Sequence, residues 1–210
     1  MSILYEHYET GADNHWNIYV GWPTQTFTPS KTHKITAVEL PLYRPPNNFP
    51  GLFTVSIRNT DETGKPTGND LCSGSIDGNS VVASQSRPNP LIWSSILMTP
   101  SICLTANTTY AIIGRTPTAD AYNVIRWVID TFSSTYPGGQ RWNSSDFGVS
   151  WTNLLPAITD ALFREFGPSK KINIGVAWKD VVGGKVNIDG VWKDVVGEKI
   201  NVGDEWKMVF

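Results

Sequence analysis

Apolar and polar positions alternate in short runs through most of the chain. The segment AVELPLYR places Val38, Leu40 and Leu42 at every second position, and LFTVSIR does the same with Phe53, Val55 and Ile57. A period of two belongs to antiparallel strands that bury one face. On this pattern, strands are expected over 25–27, 34–42, 52–58, 92–98, 109–115, 124–129 and 161–166. No segment carries the stripe of a long amphipathic helix. ETGKPTGN and YPGGQRW read as turns from their Gly and Pro content. With about eight strands in one domain, the expected fold is all-β, two packed sheets forming a jelly-roll β-sandwich.

The pattern changes at Lys171, where the chain reads KINIGVAWKDVVGG, then KVNIDGVWKDVVGE, then KINVGDEWKMVF. Lys171, Lys185 and Lys199 open these units and Trp178, Trp192 and Trp206 centre them, a period of 14 in both series. Each unit holds two β-prone runs, such as 185–188 and 191–196, about an Asp189-Gly190 turn. Ile172 and Ile174 alternate with Lys171 and Asn173, so one face is apolar. A hairpin this short cannot cover its own apolar face. Ile172, Ile174, Trp178, Val186, Ile188, Trp192, Ile200, Val202 and Trp206 are therefore expected to pack between chains in a homotrimer, docking onto the preceding domain being the rival arrangement. Gly167-Pro168-Ser169 breaks the pattern just after DALFREF, the strand expected to complete the core. The expected division is a jelly-roll domain over 1–167 and the hairpin repeats over 168–210.

Composition narrows the function. A chain of 210 residues that is 40% hydrophobic can fill one core with a small unit appended. The net charge of -2 and the lack of any Lys/Arg run argue against a nucleic-acid partner. No stretch approaches the roughly 20 apolar residues of a membrane span, so no membrane insertion is expected. MSILYEHYETGADNHW has neither a basic n-region nor an apolar h-region, and routing through a conventional secretory signal is not expected.

The chemistry of catalysis and metal binding is sparse. Cys72 and Cys103 lack metal-type spacing and read as two reduced core cysteines, a disulfide being the alternative. His15 and His33 lie in polar contexts and read as surface residues. DETGKPTGND superficially resembles a calcium loop but lacks the full EF-hand pattern, so it reads as a solvated hairpin turn, and a structural calcium elsewhere in the sandwich stays open. There is no GxSxG elbow, and the spacing of Asp120, Asp130, Asp146 and Asp160 does not establish a glycosidase pair. No enzyme activity, cofactor or metal site is expected.

Aromatic residues say more. Of nine tryptophans, Trp93 and Trp127 sit in apolar strand runs and are expected in the core. Trp16, Trp22 and Trp142 lie in polar, Gly- or Asn-containing stretches and are expected to be exposed. A sugar ring offers an apolar C–H face and a polar rim, so its receptor is an aromatic platform beside amide, carboxylate or guanidinium groups. Tyr136, Arg141, Trp142, Asn143 and Asp146, all within YPGGQRWNSSD, form a candidate glycan platform. The alternative is an ordinary long hairpin whose aromatics fold onto the sandwich.

TQTFTPSKTHKITAVELPLYR, GLFTVSIRNTDETGKPTG, LTANTTYAIIGR and the YPGG, DFGVSW and DALFREFG elements together resemble a jelly-roll domain that recurs in bacterial surface proteins and phage structural proteins. The likeness covers nearly all of 20–167, is similar to that of carbohydrate-binding modules, and carries no invariant site residues. KVNIDGVWKDVVG resembles the GVWK-type repeats that end phage tail and virion-surface proteins. The resemblance implies a virion-associated decoration or fibre protein on the virion surface, with other virion proteins as partners and a host-surface glycan as ligand. Such proteins assemble in the host cytoplasm and need no export signal. The alternative is a free-standing carbohydrate-binding module or lectin.

Overall fold

The alternating runs become strands in the computed structural model, which describes residues 2–19, 21–132, 134–154 and 159–169, and in the tail 171–174, 177–180, 185–188, 190–194, 198–202 and 205–209. The chain divides into two units, one spanning Ile3–Gly167 and the other Met1–Ser2 with Pro168–Phe210. The first unit is built from β1 (Ser2–Tyr8), β2 (Asn14–Ile18), β3 (Trp22–Phe27), β4 (His33–Lys34), β5 (Ala37–Tyr43), β6 (Leu52–Thr60), β7 (Pro66–Asp77) and β8 (Trp93–Leu97). It continues with β9 (Cys103–Leu104), β10 (Tyr110–Arg115), β11 (Ile125–Asp130), β12 (Arg141–Ser144), β13 (Thr152–Asn153), β14 (Asp160–Ala161) and β15 (Phe163–Pro168).

Pairing sets β2, β11, β5 and β8 side by side in one sheet and β3, β10, β6 and β7 in the other. Successive strands thus pass between the sheets in the order of a jelly roll, and the protein is an all-β sandwich. β12 and β13 extend the second sheet beyond β3. In the first sheet β11 meets β5 only at Arg126↔Tyr43 and Trp127↔Leu42. Where they diverge, the last strand enters: β14 pairs with β11 at Ile129 and Asp130, and β15 pairs with β5 at Ala37, Val38 and Glu39. β1 lies along β15.

The alternation predicted from sequence decides which side chains meet between the sheets. Val38, Leu40 and Leu42 of β5 and Phe53, Val55 and Ile57 of β6 are all fully buried, each stabilising the fold by roughly 1.5–3 kcal/mol. Trp127 is buried as expected, and its indole N–H donates to the Leu162 carbonyl at 2.7 Å, at the break between β14 and β15.

Several expectations are corrected. Trp93 is only partly buried, packed against the core edge with the Arg164 guanidinium 4.0 Å from its ring centre. Cys72 is in the core, but Cys103 is exposed, and both are free thiols. His33 is buried rather than on the surface: Nε2 lies 2.8–2.9 Å from both carboxylate oxygens of Glu165, and Tyr5 stacks on its ring at 3.7 Å. A polar sequence context concealed this, because its partner is 132 residues away. His15 is half-buried, with Nδ1 2.8 Å from the Tyr43 hydroxyl. DETGKPTGND does turn at Asp61–Gly64, where Asp61 accepts from the backbone of Thr63 and Lys65, but the chain is already extended at Pro66 and runs as β7 for 12 residues.

Each repeat unit of the tail forms an antiparallel hairpin: β16 (Lys171–Ile174) with β17 (Ala177–Asp180), β18 (Lys185–Ile188) with β19 (Val191–Asp194), and β20 (Glu198–Val202) with β21 (Glu205–Val209). The innermost pairs, Ile174↔Ala177, Ile188↔Val191 and Val202↔Glu205, leave two-residue connections. At Gly190 φ is +84°, a conformation that two-residue hairpin turns require and glycine adopts freely. The side chains of Ile172, Ile174, Trp178, Val186, Ile188, Trp192, Ile200, Val202 and Trp206 lie outside the described part of the structure. Among the described residues no helix is long and apolar enough to cross a membrane.

Candidate functional site

The outer face of the β3-β10-β6-β7 sheet carries a cluster of aromatic rings and guanidinium groups. Strand alternation puts it there. Phe27 and Gln25 of β3 point inward, which sends Trp22 and Thr24 outward. On β10, Ile113 pairs with Thr24, and continuing that register by two residues sets Arg115 beside Trp22. Arg115 in turn pairs with Thr54 of β6, whose outward positions continue as Ser56 and Arg58. Thr24, Ile113 and Ser56 are fully buried although they face outward, so this part of the sheet is roofed over.

Trp22 is the centre of the roof. The guanidinium carbons of Arg58 and Arg115 lie 5.3 and 4.8 Å from its ring centre, and Phe147 and Trp151 each lie 6.5 Å from it. Asp70 of β7 braces both arginines, accepting from Arg58 Nε at 2.7 Å and from Arg115 Nη2 at 2.6 Å. Burial raises the Asp70 carboxyl, but the hydrogen bonds from Arg58 and Arg115 outweigh it, and its pKa is lowered.

Phe147 is presented by the loop between β12 and β13, and that loop is organised by Asp146. Its carboxylate accepts from the backbone N–H of Ser150 at 2.9 Å, the Ser150 hydroxyl at 2.6 Å and the Ser144 hydroxyl at 2.7 Å. The hydrogen bonds from Ser150 lead in holding it down at about 2. Ser144 Oγ also accepts from Gly148 N at 2.7 Å. The result exposes Phe147 and Val149 at the tip. Two clefts flank the cluster. One, of about 440 Å³, is lined by Arg58, Lys65, Thr67, Gly148, Ser150 and Trp151 among others. The other, of about 330 Å³, is lined by Tyr19, Trp22, Thr54, Arg115, Thr116 and Phe147 among others. Both fall in the roughly 300–1,000 Å³ range of ligand pockets.

No protein-family model matches the chain, and no curated protein is significantly similar to it. The site is therefore read from its chemistry alone.

The five residues singled out from sequence do not converge. β12 is a strand, so its side chains alternate: Arg141 and Asn143 sit opposite Gln25 and Pro23, while Trp142 and Ser144 sit opposite Thr24 and Trp22. Arg141 is buried inside the sandwich with its guanidinium 4.6 Å from the Trp16 ring centre. Trp142 is only 7% exposed, which corrects the expectation of a solvent-facing platform. Asn143 Oδ1 is buried and without a hydrogen-bond partner among the described residues. Tyr136 packs edge-on against Phe163 at 5.3 Å and lines a separate cavity of about 690 Å³ with Glu6, Glu9 and Thr28. That cavity is larger, but its Tyr8 and Tyr136 rings are core packing and offer no free face. Asp146 alone belongs to the Trp22 cluster, as the residue that shapes its loop.

Trp16 and Trp22, expected to be exposed from their polar, Asn- or Gly-containing stretches, are both half-buried. Arg58, Arg115 and Asp70 carry no local signal, because they lie on three separate strands, β6, β10 and β7, that only the sheet brings together. Among the described residues no group of three or more His, Cys, Asp or Glu is placed to hold a metal ion.

Proposed function

We propose that this chain is a non-enzymatic adhesion protein that holds surface glycans on the Trp22 cluster of its sandwich and is displayed on a virion as a decoration or fibre. The observation that carries the reading is the three-ring cluster of Trp22, Phe147 and Trp151, braced by two guanidinium groups and opening on two clefts. Aromatic faces stack on the C–H side of a sugar ring, while guanidinium groups at the rim donate, and hydroxyls donate or accept, along its polar edge. Binding is favoured over cleavage because the carboxylates here are committed. Asp70 is held ionised by two arginines and Asp146 by its own loop, whereas glycoside hydrolysis needs one carboxyl kept protonated.

The virion setting is supported by the resemblance of the KVNIDGVWKDVVG unit to repeats that end virion-surface proteins, and it makes other virion proteins the partners. A tail that joins three chains would present three sandwiches to one surface, raising avidity without new contacts. The test is affinity electrophoresis of the full chain through gels containing bacterial surface polysaccharide. Retardation that Trp22→Ala removes, with cooperative unfolding kept, is the expected result. Equal retardation of wild type and Trp22→Ala, or none in either, overturns the reading.

A further inference from the structure

We infer that the Trp22 site selects an acidic polysaccharide, with carboxylated sugars of one chain seated in the two clefts, one lined by Trp22 and the other by Trp151. This rests on the glycan reading and adds the charge of the ligand. Among the described residues the clefts are lined by cations, hydroxyls and rings, and by no carboxylate: Arg58 and Lys65 in one, Arg115 in the other. Lys65 is shared with Asp61 at 3.3 Å, so the guanidinium groups carry the selectivity.

Asp70 neutralises one arginine's worth of charge and is bonded to two. Arg58 commits only its Nε and Arg115 only an Nη2 to that carboxylate, and no other hydrogen-bond acceptor among the described residues is bonded to either guanidinium. Each fork keeps donors in the geometry that matches a carboxylate. Their side chains are 13% and 16% exposed, so most of their hydration is already gone and a second carboxylate meets them under weak screening. Asp146, the other acid of the loop, spends its oxygens on Ser144 and Ser150. Arg58 and Arg115 stand against Asp70 and Asp146, so the site draws a carboxylate through its unspent guanidinium donors rather than through net charge.

The same features weigh against a polyphosphate backbone. Nucleic-acid binding relies on a stripe of Lys and Arg that tracks successive phosphates. Here the cations are few and set around an aromatic centre, which suits a ligand with a C–H face and one carboxylate per ring.

The test is calorimetric titration of the full chain, in buffer free of divalent cations, with three probes: polygalacturonate, its fully methyl-esterified form and oligo-deoxythymidine. Polygalacturonate is expected to bind with an affinity that falls as salt rises. The ester should bind about tenfold or more weakly, the scale of one hydrogen bond to a charged group. Arg115→Gln should lower polygalacturonate affinity by a similar factor and Arg115→Lys by less. The comparison of acid with ester uses wild-type protein, so it stands even if a variant folds poorly. Equal binding of acid and ester removes this inference and leaves the glycan reading intact. Binding of neither polysaccharide removes both. Oligo-deoxythymidine binding as tight as that of polygalacturonate overturns the sugar assignment in favour of a general polyanion site.

Discussion

Gly148 lies against the indole of Trp22 so closely that a β-carbon at position 148 would stand 2.6 Å from Cζ3 of the ring. The backbone there also has φ +87°, a left-handed conformation that costs other residues roughly 1–2 kcal/mol. Gly148→Ala should therefore displace the loop that carries Phe147 and weaken glycan binding. Gly190, which lines neither cleft, supplies the control: φ is +84° but nothing lies within 4 Å of a β-carbon built there. Gly190→Ala should strain its own hairpin turn alone, by about 1 kcal/mol, with the sandwich melt and glycan binding retained. Equal loss of binding in both variants would separate binding from the Gly148–Trp22 contact.

The two buried tryptophans of the sandwich should respond differently to the same change. Trp127→Ala and Trp142→Ala each remove a buried indole and should cost about 3–5 kcal/mol. With phenylalanine the two diverge. Trp127→Phe strands the Leu162 carbonyl, whereas Trp142 Nε1 has no partner among the described residues to strand. Denaturant melts should place Trp142→Phe as the milder of the two. A solvent-exposed Trp142 would instead leave Trp142→Ala near wild-type stability.

Asp160 should cost the fold stability as pH rises toward about 7, above the range in which the lowered carboxylates Asp61, Asp70 and Asp146 add to it. Burial leads in pushing its carboxyl up to about 7 from an ordinary 3.8, against the hydrogen bond from Gln25 at 2.7 Å and the charge of Arg141. A folded pKa above the unfolded one means that the folded state holds the proton more tightly. The contribution is full below about pH 4 and is lost as pH climbs through about 7, at up to about 1.4 kcal/mol per unit. His33 tilts the profile the same way: burial pulls its pKa down, but its bonds to Glu165 and to the Lys31 carbonyl prevail and raise it. Thermal melts across this range should slope downward in wild type and flatten in Asp160→Asn. An unchanged slope would remove Asp160 as a cause.

The sandwich should fold without the tail. All strands of the jelly roll lie within the first unit, so a chain ending at Gly167 should give one cooperative melt and remain monomeric. Replacing Trp178, Trp192 and Trp206 together with Ser should likewise turn a trimeric full-length chain into a monomer with its sandwich melt preserved. Sedimentation equilibrium checks both. A full-length wild-type chain that sediments as a monomer would refute the trimer.

Periodicity was enough to foretell the all-β class, because a strand's buried face is a local property: Val38, Leu40 and Leu42, or Phe53, Val55 and Ile57, declare it within seven residues. The hairpins are equally local: the Asp189-Gly190 turn signal lies between the runs that pair as β18 and β19. Strands rich in polar residues escaped that reading. β7 is Gly-, Ser- and Asp-rich, and the turn residues of YPGGQRW run straight into β12, so the alternation that turns Arg141 inward and Trp142 against the sheet has no local signature. The site depended on more. Arg58, Asp70, Arg115 and Trp22 meet only because the jelly roll sets β3, β10, β6 and β7 side by side, and the buried His33–Glu165 pair forms only because β15 returns to β5. Local sequence dictates which way a side chain points; strand order, decided by long-range pairing, dictates what it points at.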